Sequence, residues 1–479
     1  MLPLLAASTQ GAFEQPSFLF ILGDDIGWQD FSYNNGTAKS PNIKAWTEAD
    51  GTVVLQDFHT GGTVCSPTRA TVLTGRNHFR DCVDYVYGCS DMTECVPKFE
   101  FAPQNTFTIG DAARAANKGY ESWFGGKWHL GSFYNDSEKY GGLTSSPLSH
   151  GFDYMNATVE VSPTATTNCE CNAEWSKDCD YGHLKKMTHC SGTQGPDPNA
   201  KPGCCFNYWW GDEEKEHGIT NLTNPSYDDD AAYNAESFVA FAEARNGAPF
   251  LAQISFHNCH IPFVGTQTRR AACTSGEECE PPLAGALPYN DEELDFYACL
   301  NEFDHSVGTV LDALKRLGYY ENTMIWFTVD NGPEVNCKPE GRCGSGSSGR
   351  IPAGTLHRPD SGGAGSAGVL RGRKRDVWEG GHRVPGIISW PAVAKGPARV
   401  SWDTVVTMDF LATLLDVLSV ERPSTQKDWY FDGISVLPIL KQEHVPERGI
   451  GWIYDKPVAS YANGYAYRWG KWKCVSARL

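Results

Sequence analysis

The sequence predicts an α/β fold with a mainly parallel central sheet flanked by helices, followed by a smaller carboxyl-terminal α+β subdomain. Three observations lead to this prediction: short apolar runs recur along the chain, helical segments separate them, and several runs stop directly before Asp, Asn or His. Runs that are apolar at every position are typical of strands buried on both faces of a parallel sheet. Their alternation with helices indicates an α/β domain.

Four apolar runs bounded by turn residues are the predicted strands of this sheet. In chain order they are SFLFIL at 17–22, PFLAQISF at 249–256, TMIWFTV at 323–329 and GIISW at 386–390. The helical segments between them begin with acidic residues and stop at glycine, as in DEELDFYACLNEFDHSVGTVLDALKRLG, which stops at Gly318. Both features favour helix ends, through the helix dipole and the left-handed residue that closes a helix.

Residues 1–395 are predicted to form the large α/β domain, and residues 396–479 the carboxyl-terminal subdomain. A stretch rich in Cys, Gly, Pro and Trp at about 160–225 is interpreted as a disulfide-bound insertion, and the glycine-rich segment 344–368 as a mobile loop. The strand pattern at the carboxyl end stops abruptly, which is typical of a subdomain cut short. The amino end has the small and apolar residues of a signal-peptide remnant.

The composition argues against two classes of protein. The 479 residues carry a net charge of −18, whereas general nucleic-acid binders need a basic face for phosphates. No uncharged apolar run reaches the roughly 18 residues that a membrane-spanning helix requires. Positive charge for an anionic substrate must therefore be concentrated locally.

The seventeen cysteines indicate an oxidising compartment. Their spacing lacks the repeated CxxC or HxxxH pairs of zinc sites, so disulfides are the favoured interpretation. N-x-S/T sequons support a glycosylated protein that is secreted or located in a lysosome-like compartment, and they begin at Asn35, Asn135, Asn156 and Asn221. Setting Cys65 aside leaves sixteen cysteines, a number that can pair completely.

Polar side chains follow three of the predicted strands, at the point where each strand ends. Asp24 and Asp25 follow the first strand, a histidine pair at 257 and 260 follows the second, and Asp330 and Asn331 follow the third. Ligands bind at the carboxyl ends of the strands in open α/β sheets. Three carboxylates and an amide oxygen brought together there would suit Ca²⁺ or Mg²⁺, although such residues also cap helices and solvate turns.

Basic residues occur at two comparable places. GGKWHLG contains Lys127 and His129 after the probable strand YESWF, and LRGRKRD contains the basic run 371–375. The second could be a solvated basic turn. In a chain of negative net charge, basic clusters beside a cation site are better interpreted as clamps for an anionic group.

The stretch CSPTR at 65–69, followed by LTGR, resembles the Cys-x-Pro-x-Arg motif of the type I sulfatases. The blocks DDIGWQD, GKWHLG, HIPF, DNGP and LRGRKRDVWEGGHRVP also resemble blocks of that family, in the family's order and over most of the chain. The resemblance implies an alkaline-phosphatase-like fold, with 1–395 as the catalytic domain. It also implies an enzyme that hydrolyses sulfuric esters.

The resemblance further implies that Cys65 is oxidised to Cα-formylglycine by a formylglycine-generating enzyme, and that the hydrated aldehyde is the nucleophile. It implies a bound ion, Ca²⁺ in preference to Mg²⁺, whose ligands would be Asp24, Asp25, Asp330, Asn331 and residue 65. Pro67 suits the first turn of a helix, so residue 65 is expected near a helix amino terminus, where amide groups favour an anion.

The remaining roles also follow from the resemblance. Arg69 would fix the formylglycine hydrate, and Lys127, His260 and Lys374 would bind the sulfate group. His260 or Lys374 would protonate the departing alcohol, and His129 would act as the base that releases sulfate.

The expected substrate is a sulfated small molecule or glycan, most reasonably a sulfated carbohydrate. Trp209 and Trp210 would stack on sugars or simply pack within the insertion. Three alternatives stay open: a phosphodiesterase or phosphonate hydrolase with the same nucleophile and cation, a glycan-binding protein that has lost catalysis, and a hydrolase that uses the Cys65 thiolate. The last is disfavoured, because neighbouring carboxylates oppose a thiolate.

Overall fold

A computed structural model describes most of the chain. The described residues are 15–81, 83–86, 106–131, 145–158, 205–212, 217–223, 227–260, 263, 265–282, 288–334, 364–423, 431–454 and 464–477, and for 205–212, 217–223 and 227–229 only the backbone is described. Most of the predicted insertion at 160–225 and most of the loop at 344–368 lie outside these residues. No described helix combines the length and apolar character needed to cross a bilayer.

The described residues form fifteen strands. They are β1 Ser17–Gly23, β2 Thr52–Leu55, β3 Phe58–His59, β4 Glu121–Lys127, β5 Tyr154–Thr158, β6 Cys205–Asp212, β7 His217–Thr223, β8 Phe250–Ser255, β9 Thr323–Val329, β10 Gly386–Ser389, β11 Arg399–Ser401, β12 Val405–Val406, β13 Gly449–Tyr454, β14 Gly464–Trp469 and β15 Trp472–Ala477. Nine α-helices accompany them. They are α1 Pro41–Thr47, α2 Cys65–Thr74, α3 Ile109–Ala115, α4 Tyr227–Ala244, α5 Gln267–Ser275, α6 Asp291–Arg316, α7 Glu379–His382, α8 Asp409–Leu418 and α9 Leu437–Leu440.

Ten of the strands form one mixed sheet in the order β11-β2-β10-β9-β1-β8-β4-β5-β6-β7. Its five central strands, from β9 to β5, are parallel, and the antiparallel pairs lie toward the edges. The four strands predicted from apolar runs are all present. The predicted α/β class with a mainly parallel sheet is therefore confirmed.

Helices cover both faces of this sheet. Phe303 of α6 packs on Phe327 of β9, while Phe410 of α8 packs on the adjacent residue Trp326. Because successive side chains of a strand point to opposite faces, the two helices lie on opposite sides. This double cover explains why all seven residues of β1 are buried and why its sequence is apolar without alternation.

The strand register brings the carboxyl ends of the central strands level with one another. Gly23 at the end of β1 pairs with Val329 at the end of β9, and Ser255 at the end of β8 pairs with both Leu22 and Gly126. The residues that follow these four strands therefore meet at one edge of the sheet.

The carboxyl-terminal strands β13, β14 and β15 form a separate antiparallel sheet. Its inner face packs through Trp452 and Tyr454, and its outer face exposes the side chains of Tyr467 and Trp469. Strand β11 lies beyond residue 395 and pairs with β2 of the large sheet. The domain division at residue 395 stays a prediction.

The cysteines pair less completely than the count of sixteen allows. Cys273 and Cys279 form a disulfide, whereas Cys65, Cys259, Cys299 and Cys474 are not disulfide-bonded. Complete pairing is therefore not found among the described residues. Cys474 is exposed on a strand of the small sheet, and the other three thiols are buried.

His150 is expected to make the fold sensitive to acid. Burial lowers its pKa from 6.5 to about 4, so protonation favours the unfolded chain. The folding free energy gained by keeping this ring neutral is fully present above pH 6.5 and is lost as the pH falls toward 4. At pH 5 the loss is about 2 kcal/mol. The Tm difference between pH 7.5 and pH 5 should shrink by a few degrees in His150→Gln. The matched change His444→Gln alters a ring that is 91% exposed and should leave that difference as in the wild type.

Candidate active site

Four oxygen-bearing side chains meet at the strand ends described above. Asp24 and Asp25 follow β1, Asp330 and Asn331 follow β9, and all four are fully buried. The Asp25 amide donates to Asp330 Oδ1 at 3.3 Å, and Asn331 Nδ2 donates to Asp25 Oδ1 at 2.7 Å. Backbone bonds to the next strand end fix the first pair, because the Asp24 amide donates to the Asn258 carbonyl at 2.7 Å. The sequence-predicted acidic residues thus form one cluster.

Cys65 lies beside this cluster as the first residue of α2. Its side chain is fully buried and free, and the Sγ atom donates to Asp24 Oδ1 at 3.6 Å. Pro67 occupies the first turn of the helix, where a missing amide hydrogen costs nothing. Burial raises the pKa of the Cys65 thiol well above its ordinary value, and the carboxylate of Asp330 adds to the rise. A thiolate nucleophile at this position is therefore strongly disfavoured.

Arg69, one turn further along α2, holds the acidic residues together. Its guanidinium donates to the Asp330 carboxylate at 2.8 Å and to the Lys127 carbonyl at 2.6 Å, and it lies 3.6 Å from Asp24. These bonds tie α2 to the ends of β9 and β4. A buried guanidinium with such partners is a fixed positive charge.

Two lysine ammonium groups bind the two carboxylates that follow β1, one lysine to each. Lys127, at the end of β4, binds Asp24, and the Lys374 Nζ atom lies 2.7 Å from Asp25 Oδ2. Both side chains are buried. Burial alone would lower the pKa of Lys374, but Asp25, Cys65 and Glu334 together outweigh burial and hold that pKa well above the ordinary value. Lys374 is therefore charged.

The two predicted histidines have different surroundings. His129 is buried, and neither ring nitrogen has a hydrogen-bond partner among the described residues. Burial, reinforced by Lys127 and Arg69, lowers the pKa of His129 well below its ordinary value, so the ring is neutral. His260 Nε2 lies 3.3 Å from Lys374 Nζ, and His260 is the most exposed predicted site residue, at 8%.

His257 is held as a structural residue. Its Nδ1 atom lies 3.0 Å from Asp230 Oδ2 and its Nε2 atom 2.7 Å from Thr158 Oγ1. Both nitrogens are thus engaged by buried neighbours. Of the histidine pair predicted after β8, only His260 contacts the acidic cluster.

The charges of the cluster explain the pKa directions of its carboxyl groups. Burial raises the pKa of Asp24 and of Asp25, with further increases from neighbouring carboxylates. Burial acts in the same direction on Asp330, but Arg69 and Lys127 outweigh it and hold its pKa below the ordinary value. A divalent cation at the site would favour the charged forms of Asp24 and Asp25, which burial opposes.

The donor set fits such a cation. Ligand atoms of Asp24, Asp25, Cys65 and His260 all lie within 4.8 Å of one another. The buried Oδ1 atom of Asn331 accepts no hydrogen bond from the described residues. This buried cluster can hold a metal ion, and its oxygen atoms favour a hard one.

Sequence reasoning missed Glu334, a buried carboxylate three residues after Asn331. Its Oε2 atom lies 2.9 Å from Lys374 Nζ, and its carboxylate also binds Arg375. Its backbone carbonyl accepts from Arg373 at 2.9 Å. Glu334 thus contacts each of the three consecutive basic residues 373–375. Among the described contacts of these three residues, the one with Asp25 is made by Lys374. Its position directly after DNGP was the available signal.

A family model described as Sulfatase matches residues 16–420. The chain belongs to the sulfatase family. This sulfatase is 27% identical over 431 residues to arylsulfatase G of Canis lupus familiaris, covering 89% of this chain and 68% of that protein. It is 27% identical over 467 residues to N-acetylgalactosamine-6-sulfatase of Rattus norvegicus, covering 94% and 71%.

The fold of the sulfatase is also similar to that of solved structures. The crystal structure of Ps i-CgsB in complex with k-i-k-neocarrahexaose superposes with a TM-score of 0.67 at 18% identity, covering 96% of this chain and 84% of that chain. This similarity confirms the predicted alkaline-phosphatase-like fold. The match to the family model confirms the predicted family. The sulfatase is a sulfuric ester hydrolase.

Proposed function

We propose that this sulfatase hydrolyses sulfate esters of a carbohydrate, with residue 65 in the form of Cα-formylglycine and with a bound Ca²⁺ ion. The observation that carries the proposal is the placement of Cys65. It is a buried, unpaired thiol at a helix amino terminus, next to three carboxylates and two lysines. A formylglycine hydrate supplies one hydroxyl group to receive the sulfuryl group and a second whose deprotonation expels sulfate.

Asp24, Asp25, Asp330 and Asn331 are the proposed protein ligands of the ion, together with residue 65. When bound, Ca²⁺ would lower the pKa of a hydroxyl group on residue 65 and neutralise charge on the sulfate. Arg69 keeps Asp330 and Asp24 in place through its guanidinium. The described chain thus provides both the oxygen ligands and the group that orients them.

Lys127 and Lys374 bind the sulfate oxygens in this proposal, because both ammonium groups are buried in contact with the acidic cluster. His260 contacts Lys374 on the exposed side of the site, where the alcohol departs. Either residue can supply the proton that the alcohol oxygen needs. His129 is neutral, and its ring nitrogens have no hydrogen-bond partner in the described part of the chain, so it can accept the hydroxyl proton of residue 65 as sulfate leaves.

A carbohydrate is the proposed substrate because the names of similar proteins point to one. One relative is an N-acetylgalactosamine-6-sulfatase, and one structural neighbour was crystallised with a neocarrahexaose. The side chains of Trp209 and Trp210, predicted either to stack on sugars or to pack, lie outside the described part of the chain. We further propose a secreted or lysosome-like location, in keeping with the cysteines and sequons.

Purified protein assayed on sulfated sugars, an aryl sulfate and an aryl phosphodiester would test this proposal. We expect inorganic sulfate to be released from the two sulfated substrates, with kcat/KM at least about tenfold above that for the phosphodiester. Preference for the phosphodiester would instead identify a phosphodiesterase. Binding of the sulfated sugar without release of sulfate would identify a glycan-binding protein.

A further inference from the structure

A second buried cluster of ionisable side chains lies away from the proposed active site. His59 on β3 and His382 at the end of α7 are fully buried, and their Nδ1 atoms are 3.0 Å apart. His59 Nε2 lies 3.2 Å from Asp57 Oδ1, and His382 Nε2 lies 2.6 Å from Lys473 Nζ on β15. We call Asp57, His59, His382 and Lys473 the histidine relay. It connects β3, which pairs with β12 in a two-stranded sheet, to the small carboxyl-terminal sheet.

The charge on Lys473 fixes the direction of its hydrogen bond to His382. Its Nζ atom also lies 2.8 Å from the carboxylate of Glu379, so it is an ammonium group, which donates and cannot accept. His382 Nε2 must then accept this hydrogen bond. His59 Nε2 lies 3.2 Å from Asp57 Oδ1 and 3.0 Å from Arg468 Nη1, and the Arg468 guanidinium also binds Asp57. Both rings are neutral in this arrangement, in keeping with burial, which lowers the pKa of each.

The same cluster has the residue types of a metal site, with His59, Glu379 and His382 as candidate ligands. However, His382 Nε2 and Glu379 Oε1 are 4.0 Å apart, and the Lys473 ammonium contacts both. Lys473 therefore lies where an ion shared by these two groups would have to bind. The positive charge in this cluster is the Lys473 ammonium group.

Hydrogen bonds link the histidine relay to the two segments that carry Cys65 and Lys374. The Thr60 amide, five residues before Cys65, donates to the His382 carbonyl at 2.7 Å. Trp452 of the small sheet donates from its ring to the Thr60 carbonyl at 2.7 Å and stacks on the His382 ring. The Arg375 amide donates to the Thr63 carbonyl at 2.8 Å, so the loop that carries Lys374 is tied to the same segment.

We propose that His59 and His382 are positioning residues, which use the Lys473 cation of the small sheet to hold the 60–64 segment and α7 in register. In that role they fix the placement of Cys65 relative to Lys374 without contacting substrate. The inference deepens the proposed function and rests on it for its kinetic test. It assigns the small sheet a part in catalysis, because β15 supplies the terminal donor of the relay.

Lys473→Met and Lys473→Arg test the proposal, with Lys471→Met as the matched control. Methionine removes the donor to His382, arginine keeps a donor and a positive charge, and Lys471 is an exposed residue of the same hairpin that contacts only the Trp472 ring among the described contacts. For Lys473→Met we expect a fall in kcat of about tenfold with KM changed less than twofold. Lys473→Arg should recover most of this loss, and Lys471→Met should match the wild type.

The pH profile separates positioning from general destabilisation. Lys473 helps to keep the pKa of His382 low, after burial, so its removal should move the acidic limb of kcat upward by about one pH unit. The other charged or titratable groups near the His382 ring are unchanged in all variants. They are Asp57, His59, Glu379, Arg383 and Arg468. An acidic limb in Lys473→Met that coincides with that of Lys471→Met would overturn the proposal. So would a stoichiometric zinc ion bound to His382.

Amide hydrogen exchange gives a readout that does not depend on turnover. In Lys473→Met, exchange in the 60–64 segment should accelerate at least tenfold, whereas Lys471→Met should leave it unchanged. Equal exchange in the two variants would overturn the relay. Absence of sulfate release by the wild-type protein would instead overturn the proposed function and leave this measurement interpretable.

Discussion

Replacement of Cys65 by alanine is expected to lower kcat for sulfate release on the order of 10⁴-fold or more, because it removes the group from which the proposed nucleophile forms. The side chain is small and buried at a helix start. Its loss should therefore cost only about 1 kcal/mol of folding free energy. Circular dichroism and the Tm of the variant should stay close to those of the wild type. Turnover of an aryl sulfate measures the loss.

Mass spectrometry of the wild-type peptide containing residue 65 provides the chemical half of this experiment. We expect an aldehyde that a hydrazine reagent traps, in place of a thiol that an alkylating reagent traps. The control is Cys474→Ala, which removes an exposed free thiol and should leave both kcat and the aldehyde unchanged. A fully active protein with an intact thiol at residue 65 would refute the formylglycine proposal.

Asp25→Asn is expected to separate catalysis from stability. The change removes a proposed ligand of Ca²⁺ and should lower kcat by about 10²- to 10³-fold. Burial and neighbouring carboxylates both oppose the charge on Asp25, and Lys374 keeps Glu334 as a partner after the substitution. In a chelator, the Tm of the variant should therefore equal or exceed that of the wild type.

Calcium titration completes this second experiment. Ion at a hundred times its Kd should stabilise the wild-type fold by about 2.7 kcal/mol, and most of this gain should be absent from Asp25→Asn. The exposed residue Asp312 offers a control, because Asp312→Asn changes the net charge equally without touching the site. An undiminished calcium-dependent rise in Tm for Asp25→Asn would contradict the proposed ligand set.

The large sheet was accessible from sequence because its central strands are buried on both faces. A strand such as β1 has no solvent-facing positions, so its apolar run is unbroken and its end is marked by Asp24. The same physics placed Asp330 correctly, because parallel strands bring their carboxyl ends to one edge. Local pattern was thus sufficient wherever a residue's neighbours followed from strand direction alone.

Contacts between distant segments were not accessible in this way. Glu334 contacts Lys374, which lies forty residues later in the sequence, and no local pattern links the two positions. The contact between His59 and His382 spans more than three hundred residues, and each histidine is unremarkable within its own segment. Strands β6 and β7 also escaped prediction, because the composition of the insertion obscured two strands that extend the edge of the sheet.

The complete burial of residue 65 limits the stage of biosynthesis at which it can be oxidised. An oxidising enzyme must accommodate the CSPTR segment in its own cleft, and in the folded chain that segment forms the buried first turns of α2. If the aldehyde forms as proposed, it has to be installed while the polypeptide is still open. Whether a given molecule can become active is then decided before it folds. Refolding purified chains that missed this step should restore their shape and leave them inert.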